Sequence, residues 1–225
     1  MKNQPRYCFF QKYCVSLHSI YDFYRMMNII TKIAKINRLK YSKGFGVHSP
    51  WVYRFIRYVL NENYAYYCYN DLKAFYPHLK KRTRKNCELY FRLANFRQPK
   101  YIIDYGSPNS AYSSYMKEGC KNSLIVQIVP DDNKIYQDYL SPFGVLEMVR
   151  MNLTGNYQAF YEECLKHVDN KSMMIVENIY NGKDERAFWK AVINDDRTGI
   201  TFDLFECGII FFDKSRYKKN YIINF

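Results

Sequence analysis

The spacing of hydrophobic positions changes at Pro99. Before it they recur every three or four residues: Ile20, Phe23, Met27, Ile30 and Ala34 between Ser19 and Tyr41, then Val52, Phe55, Ile56 and Val59. That spacing gathers them on one face of a helix. Gly44 and Gly46 mark a turn between these two stretches. Ser49 is a good N-cap and Pro50 suits a first helical position, so the second helix starts there. Pro77 closes a further short helix, and another spans roughly Glu88 to Phe96 before Gln98-Pro99. On the first helix Lys32, Lys35 and Arg38 share a second face. Such a basic amphipathic helix docks on the body or, alternatively, lies on a membrane or partner. Met26 and Met27 offer an alternative start that would leave the first 25 residues outside the natural product.

After Pro99 short apolar runs take over. Tyr101-Ile-Ile-Asp-Tyr-Gly106, Ser123 to Val129, Val145 to Arg150 and Met173 to Glu177 are strands; the second is stopped by Pro130, and a helical stretch follows each of the others. Thr201 to Phe205, Gly208 to Phe212 and Tyr221 to Phe225 are strands with no helix between them. Alternating strands and helices imply an α/β fold, with a mostly parallel sheet covered by helices on both faces. The last strands imply an antiparallel C-terminal hairpin. A length of 225 residues fits one domain with an extension. The expected division is a basic helical N-terminal region at 1–98 and a sheet domain at 99–225. No internal repeat is visible.

Composition narrows the class. Hydrophobic residues make up 48% and charged residues 24%, and Gly (9) and Pro (7) are scarce, which excludes disordered and collagen-like chains. No apolar run approaches the ~18 residues of a membrane span, and no signal-peptide pattern is present, so a cytoplasmic location is expected. Seven widely spaced cysteines form no C-x-x-C pair, and the four histidines are scattered. Reduced thiols and no metal site are the expectation. The 24 tyrosines could stack on bases or simply pack, and compositional bias would produce them equally.

Charge is unevenly distributed. The net value is +13, yet residues 1–100 hold 20 basic and four acidic side chains, a net of +16. Residues 101–225 are near neutral at −3. A basic front suggests a polyanionic partner such as nucleic acid or an anionic membrane surface, against the plainer reading of solvated helices. The densest cluster, Lys80 to Lys85, reads as a solvated loop or a phosphate-contacting one.

In open α/β sheets ligands sit outside the carboxyl ends of the strands. Those ends are Asp104-Tyr-Gly106, Gln127, Arg150-Met-Asn152 and Glu177-Asn178. The first has the layout of a nucleotide-binding turn: strand, acid, glycine, helix start. Pro108, Asn109 and Ser110 follow Gly106, where a missing amide and added bulk hinder close approach.

Three stretches carry a family resemblance. They are Gly44 to Phe55, Leu89 to Gly106, and Met173 to Phe225 with its Glu177-Asn-Ile-Tyr and Phe202-Asp-Leu-Phe-Glu-Cys-Gly strings. Over roughly residues 40–225 the chain resembles class I S-adenosylmethionine (SAM)-dependent methyltransferases, in a bacterial subgroup with an N-terminal helical region. The resemblance implies a Rossmann-like sheet, SAM as cofactor and an unidentified methyl acceptor. It implies Asp104, Gly106, Ser107, Gln127, Asn152 and Glu177 as cofactor contacts, with His48 and Tyr180 nearby and no assignable catalytic residue.

The departures fall at the same positions. The family pattern has an acid for the ribose hydroxyls where Gln127 stands, without charge assistance. Arg150-Met-Asn-Leu153 replaces an acidic strand-end motif, and paired acids appear as Glu177-Asn178. Only about fifteen residues lie between Pro130 and Val145, too few for two helices and a strand. The expectation is a methyltransferase-like protein with an eroded cofactor site and impaired or absent catalysis. The alternative is a non-catalytic module that binds nucleic acid or another polyanion through its basic front. A cavity surviving between Gly106, Gln127 and Asn152 would favour a working enzyme.

Overall fold

The Ser49-Pro50 signal starts a helix as expected. In the computed structural model Ser49 Oγ accepts from Val52 N at 3.4 Å, and Pro50 occupies the first turn of α1 (Pro50–Phe55). A π-helical turn, Ile56–Leu60, continues it. Val59 and Leu60 carbonyls accept from the buried Arg92 side chain, which satisfies groups the end of the helix leaves open. Residues 47–106, 110–131 and 135–225 are described. The expected helix between Ser19 and Tyr41, the alternative start, the glycine turn and Ser107 lie outside them.

Helix α2 (Cys68–Phe75) ends just before Pro77, and α3 (Lys81–Arg97) follows. The basic cluster is therefore the first turn of α3 and not a loop. Lys and Arg are good helix formers, and that propensity outweighs the unfavourable dipole at a cationic N-terminus. Local partners ease the repulsion: Arg82 pairs with Glu206, Arg84 Nη2 donates to Leu79 O at 3.4 Å, and Lys85 lies 4.1 Å from the Phe225 ring centroid. Gln98, at φ 49°, closes the helix in the left-handed conformation ahead of Pro99.

The remaining elements alternate: β1 (Tyr101–Tyr105), α4 (Ser110–Gly119), β2 (Leu124–Ile128), α5 (Tyr136–Leu140), β3 (Met148–Asn152), α6 (Tyr157–Leu165), β4 (Met173–Glu177) and α7 (Lys183–Asn194). Strands β5 (Thr201–Asp203), β6 (Cys207–Phe211) and β7 (Asn220–Ile222) end the chain. The seven strands form one sheet in the order β2-β1-β3-β4-β6-β5-β7. The first four run parallel, β6 is antiparallel to β4 and β5, and β7 is parallel to β5. This is a mixed, Rossmann-like sheet with a parallel core and an antiparallel hairpin. The order reverses between β1 and β3, the usual ligand position in such sheets.

Each face has its own core. Ile102, Met148 and Ile175 pack with Phe55, Tyr90, Leu93 and Met116 under α1, α3 and α4. Ile103, Val149, Met151 and Val176 pack with Leu140, Phe160 and Trp189 under α5, α6 and α7. Residues from 52 to 60 and 89 to 94 thus share one core with the sheet. Between β2 and β3 the described residues hold only α5 and a 3₁₀ turn, so β2 remains an edge strand. Among the described residues no helix is long and apolar enough to cross a membrane.

Candidate functional site

Successive strand residues point to opposite faces, so alternate positions of β1, β3 and β4 meet beneath α3 and α4. The register sets Asp104 opposite Arg150, and Glu177 lies one same-face position further along β4. All three are buried: Asp104 is 1% exposed, Arg150 0% and Glu177 6%. The guanidinium bridges the two acids, with Nη1 donating to Asp104 Oδ1 and Nη2 to Glu177 Oε2. Two hydroxyls take up the remaining oxygens. Ser113 Oγ donates to Asp104 Oδ2 at 2.7 Å, and Tyr90 OH donates to Glu177 Oε1 at 2.5 Å. The Tyr112 ring caps the guanidinium, 4.2 Å from Cζ to centroid, a cation–π contact in a dry setting. Arg150 Nε alone makes no hydrogen bond.

This cluster is electrostatically locked. Burial opposes the charge on Arg150, but Glu177 and Asp104 more than offset it and hold the guanidinium above its ordinary pKa. Burial pushes the Glu177 carboxyl up, against the opposing pull of Arg150 and Tyr90. Burial and then the Glu177 charge push the Tyr90 and Tyr112 phenols up, and take the Cys87 thiol to about 12. These phenols and this thiol stay protonated at neutral pH. The carboxylates are committed to internal donors, so the cluster offers no accessible general base.

The other expected residues divide around it. Gln127 is exposed, and its Nε2 donates to Ser113 Oγ at 2.9 Å, which links it to Asp104 through one hydroxyl. Gly106, at φ +88°, faces the loop after β3: a Cβ there would lie 2.9 Å from Thr154 Oγ1 and 3.0 Å from Asn152 O. That glycine accommodates the protein's own backbone, and Thr154 Oγ1 donates to Gly106 O at 3.3 Å. Asn152 Oδ1 accepts from Asn178 Nδ2 at 2.7 Å on the rim. Asn178, at φ 60°, and Phe205, at φ 76°, hold uncommon backbone conformations at these strand ends. Tyr180 OH donates to the buried Asp203 at 2.6 Å and its ring stacks on Phe205. His48 is exposed beside the α1 cap. Among the described residues no group of three or more His, Cys, Asp or Glu could hold a metal ion.

The chain matches no family model and no curated protein. Among solved structures it is similar to MycE, the mycinamycin-pathway methyltransferase bound to Mg and SAH. Identity there is 12% and the TM-score 0.43, over 63% of this chain and 48% of that one. It is also similar to an O-methyltransferase from Bacillus cereus in complex with SAH (12%, 0.45, over 71% and 96%). A methyltransferase from Geobacter sulfurreducens is similar too (12%, 0.45, over 74% and 98%). All three are methyltransferases. This chain spans about half the length of MycE and nearly all of the other two.

Sequence reasoning did not anticipate Arg150 as the bridge, nor Tyr90, Tyr112 and Ser113 as its surroundings. One signal was available. Arg150 interrupts an otherwise apolar strand at the position that shares a face with Asp104 and Glu177. A buried charge demands a partner.

Proposed function

We propose that this chain is a methyltransferase-like protein whose SAM site has become a closed ionic core and which does not transfer methyl groups. The observation that carries this reading is the commitment of both Asp104 oxygens, one to Arg150 and one to Ser113, at 1% exposure. SAM presents a sulfonium cation, an amino acid and ribose hydroxyls. The residues present do not fit it. A guanidinium already holds the cationic position between Asp104 and Glu177. The glycine that would admit a ligand is filled by Thr154 and Asn152. Gln127 supplies a neutral amide where a carboxylate would grip the hydroxyls with charge assistance. The polyanion alternative would draw on the exposed Lys80, Lys81, Arg82 and Lys85 of the basic turn, of which Arg82 also pairs with Glu206 and Lys85 with the Phe225 ring.

Isothermal calorimetry with SAM and with S-adenosylhomocysteine (SAH), supported by melting curves, tests the reading. The expected result is no binding heat and an unchanged melting temperature. Binding of either compound with a micromolar Kd, accompanied by a concentration-dependent rise in melting temperature, would overturn it.

A further inference from the structure

The two ends of the sheet are built differently. At one end β7 is three residues long and follows Lys218 and Lys219, the short and cationic edge by which proteins discourage strand pairing. At the other end β2 is five residues, Leu124-Ile-Val-Gln-Ile128, with no charge. Its ladder to β1 uses alternate residues: Leu124 N donates to Lys100 O at 2.9 Å, and Gly106 N donates to Ile128 O at 3.1 Å. Ile125 and Gln127 therefore turn their N–H and C=O groups away from the sheet. Apolar side chains flank this edge in the open, with Leu124 58% and Val129 61% exposed. Among the described residues no strand covers it.

We propose that the β2 edge pairs antiparallel with the same edge of a second copy of this chain, about a two-fold axis at Val126. In that register Val126 meets its own counterpart. Ile125 exchanges both backbone hydrogen bonds with Gln127 of the second copy, and the symmetry repeats the exchange. Leu124 lies across from Ile128 of the second copy on the same face. The charges select this arrangement. Lys121 precedes the strand and Asp131 follows it, each five residues from Val126. Lys121 sits in the turn that Ser123 N closes on Cys120 O, just before the strand, so antiparallel pairing brings the basic end of each β2 beside the acidic end of the other, whereas parallel pairing in register would set like against like. Lys121 meets Glu118 at 3.6 Å, and at 77% side-chain exposure it remains able to reach across. The missing strand beyond β2 is thus replaced by a neighbour's β2.

Sedimentation velocity of the full chain over a dilution series tests this. A reversible dimer is expected. Gln127→Pro should be monomeric throughout, because proline removes an outward donor that the β1 ladder does not use. Circular dichroism verifies that this variant is folded. Lys121→Glu and Asp131→Lys should each dimerise roughly tenfold more weakly alone. Mixed in equal amounts they should recover wild-type affinity, since opposite charges then face each other at both ends. A chain that is monomeric at every concentration would sink the proposal. So would a dimer that a folded Gln127→Pro leaves intact, or charge variants that mixing does not rescue.

Discussion

On the α3–α4 side, β1, β3 and β4 present Asp104, Arg150 and Glu177 near their carboxyl ends; on the α6–α7 side, the neighbouring residues are Tyr105, Met151 and Val176. Both sets are almost completely buried, yet different physics holds them. Tyr105 stacks on Phe160 with ring centroids 4.0 Å apart, and Met151 and Val176 join the same apolar core. Removing such surface from water stabilises roughly in proportion to its area. The charged set gains little that way. Its desolvation cost is offset only because every carboxylate oxygen and two guanidinium nitrogens find partners. Burial thus has one meaning on the apolar face and another on the charged one, where loss of one member leaves the others unpaired.

The sharpest way to break the comparison is Arg150→Met, which keeps volume but strands two acids. A loss of about 3–5 kcal/mol is expected in urea denaturation. Adding Asp104→Leu and Glu177→Leu should recover most of it. If the triple variant is as unstable as the single one, the cluster is not self-compensating. On the apolar face Met151→Ala should cost about 2–5 kcal/mol with no such rescue.

Tyr90→Phe removes one donor from a buried carboxylate and should cost about 1–3 kcal/mol. Its effect should largely vanish in a Glu177→Gln background, measurable as a double-mutant cycle.

The pH dependence follows from Glu177. Its folded pKa lies above the ordinary 4.5, so the folded chain keeps this proton to higher pH than the unfolded chain does. Stability should therefore fall as pH rises through the window just above 4.5, the sign opposite to that of a salt-bridged acid with a lowered pKa. Glu177→Gln should remove that component of the slope in pH-dependent denaturation, while Met151→Ala should leave it unchanged. The smallest effect expected is from Ser113→Ala, at about 1 kcal/mol, with Gln127 also losing its contact.

Much of the fold was legible in the chain because period and punctuation are local. The Ser49-Pro50 cap and the apolar runs at Tyr101, Ser123 and Met173 each lie where expected to within a residue or two. Strand β3 begins at Met148 instead of Val145, which brings Asn152 inside it. Helix α3 starts at Lys81 instead of Glu88, because a run of lysines and arginines reads as solvated whether it is coiled or helical. The shortened stretch between β2 and β3 was countable, and the edge strand it leaves follows from that count.

The candidate site was legible only as positions. Asp104, Gln127, Asn152 and Glu177 were named because they end strands, a one-dimensional property. Their partners could not be read, since Arg150 reaches Asp104 and Glu177 across gaps of 46 and 27 residues and Tyr90 reaches Glu177 across 87. The sequence by itself determined the alternation of strands and helices, the basic front and the short stretch between Pro130 and Val145, because each depends on neighbours along the chain. Only the tertiary structure decided what the strand-end charges do. Strand order and register bring an arginine between two acids, and in a dry interior the oppositely charged group within reach determines whether a carboxylate is available to a ligand.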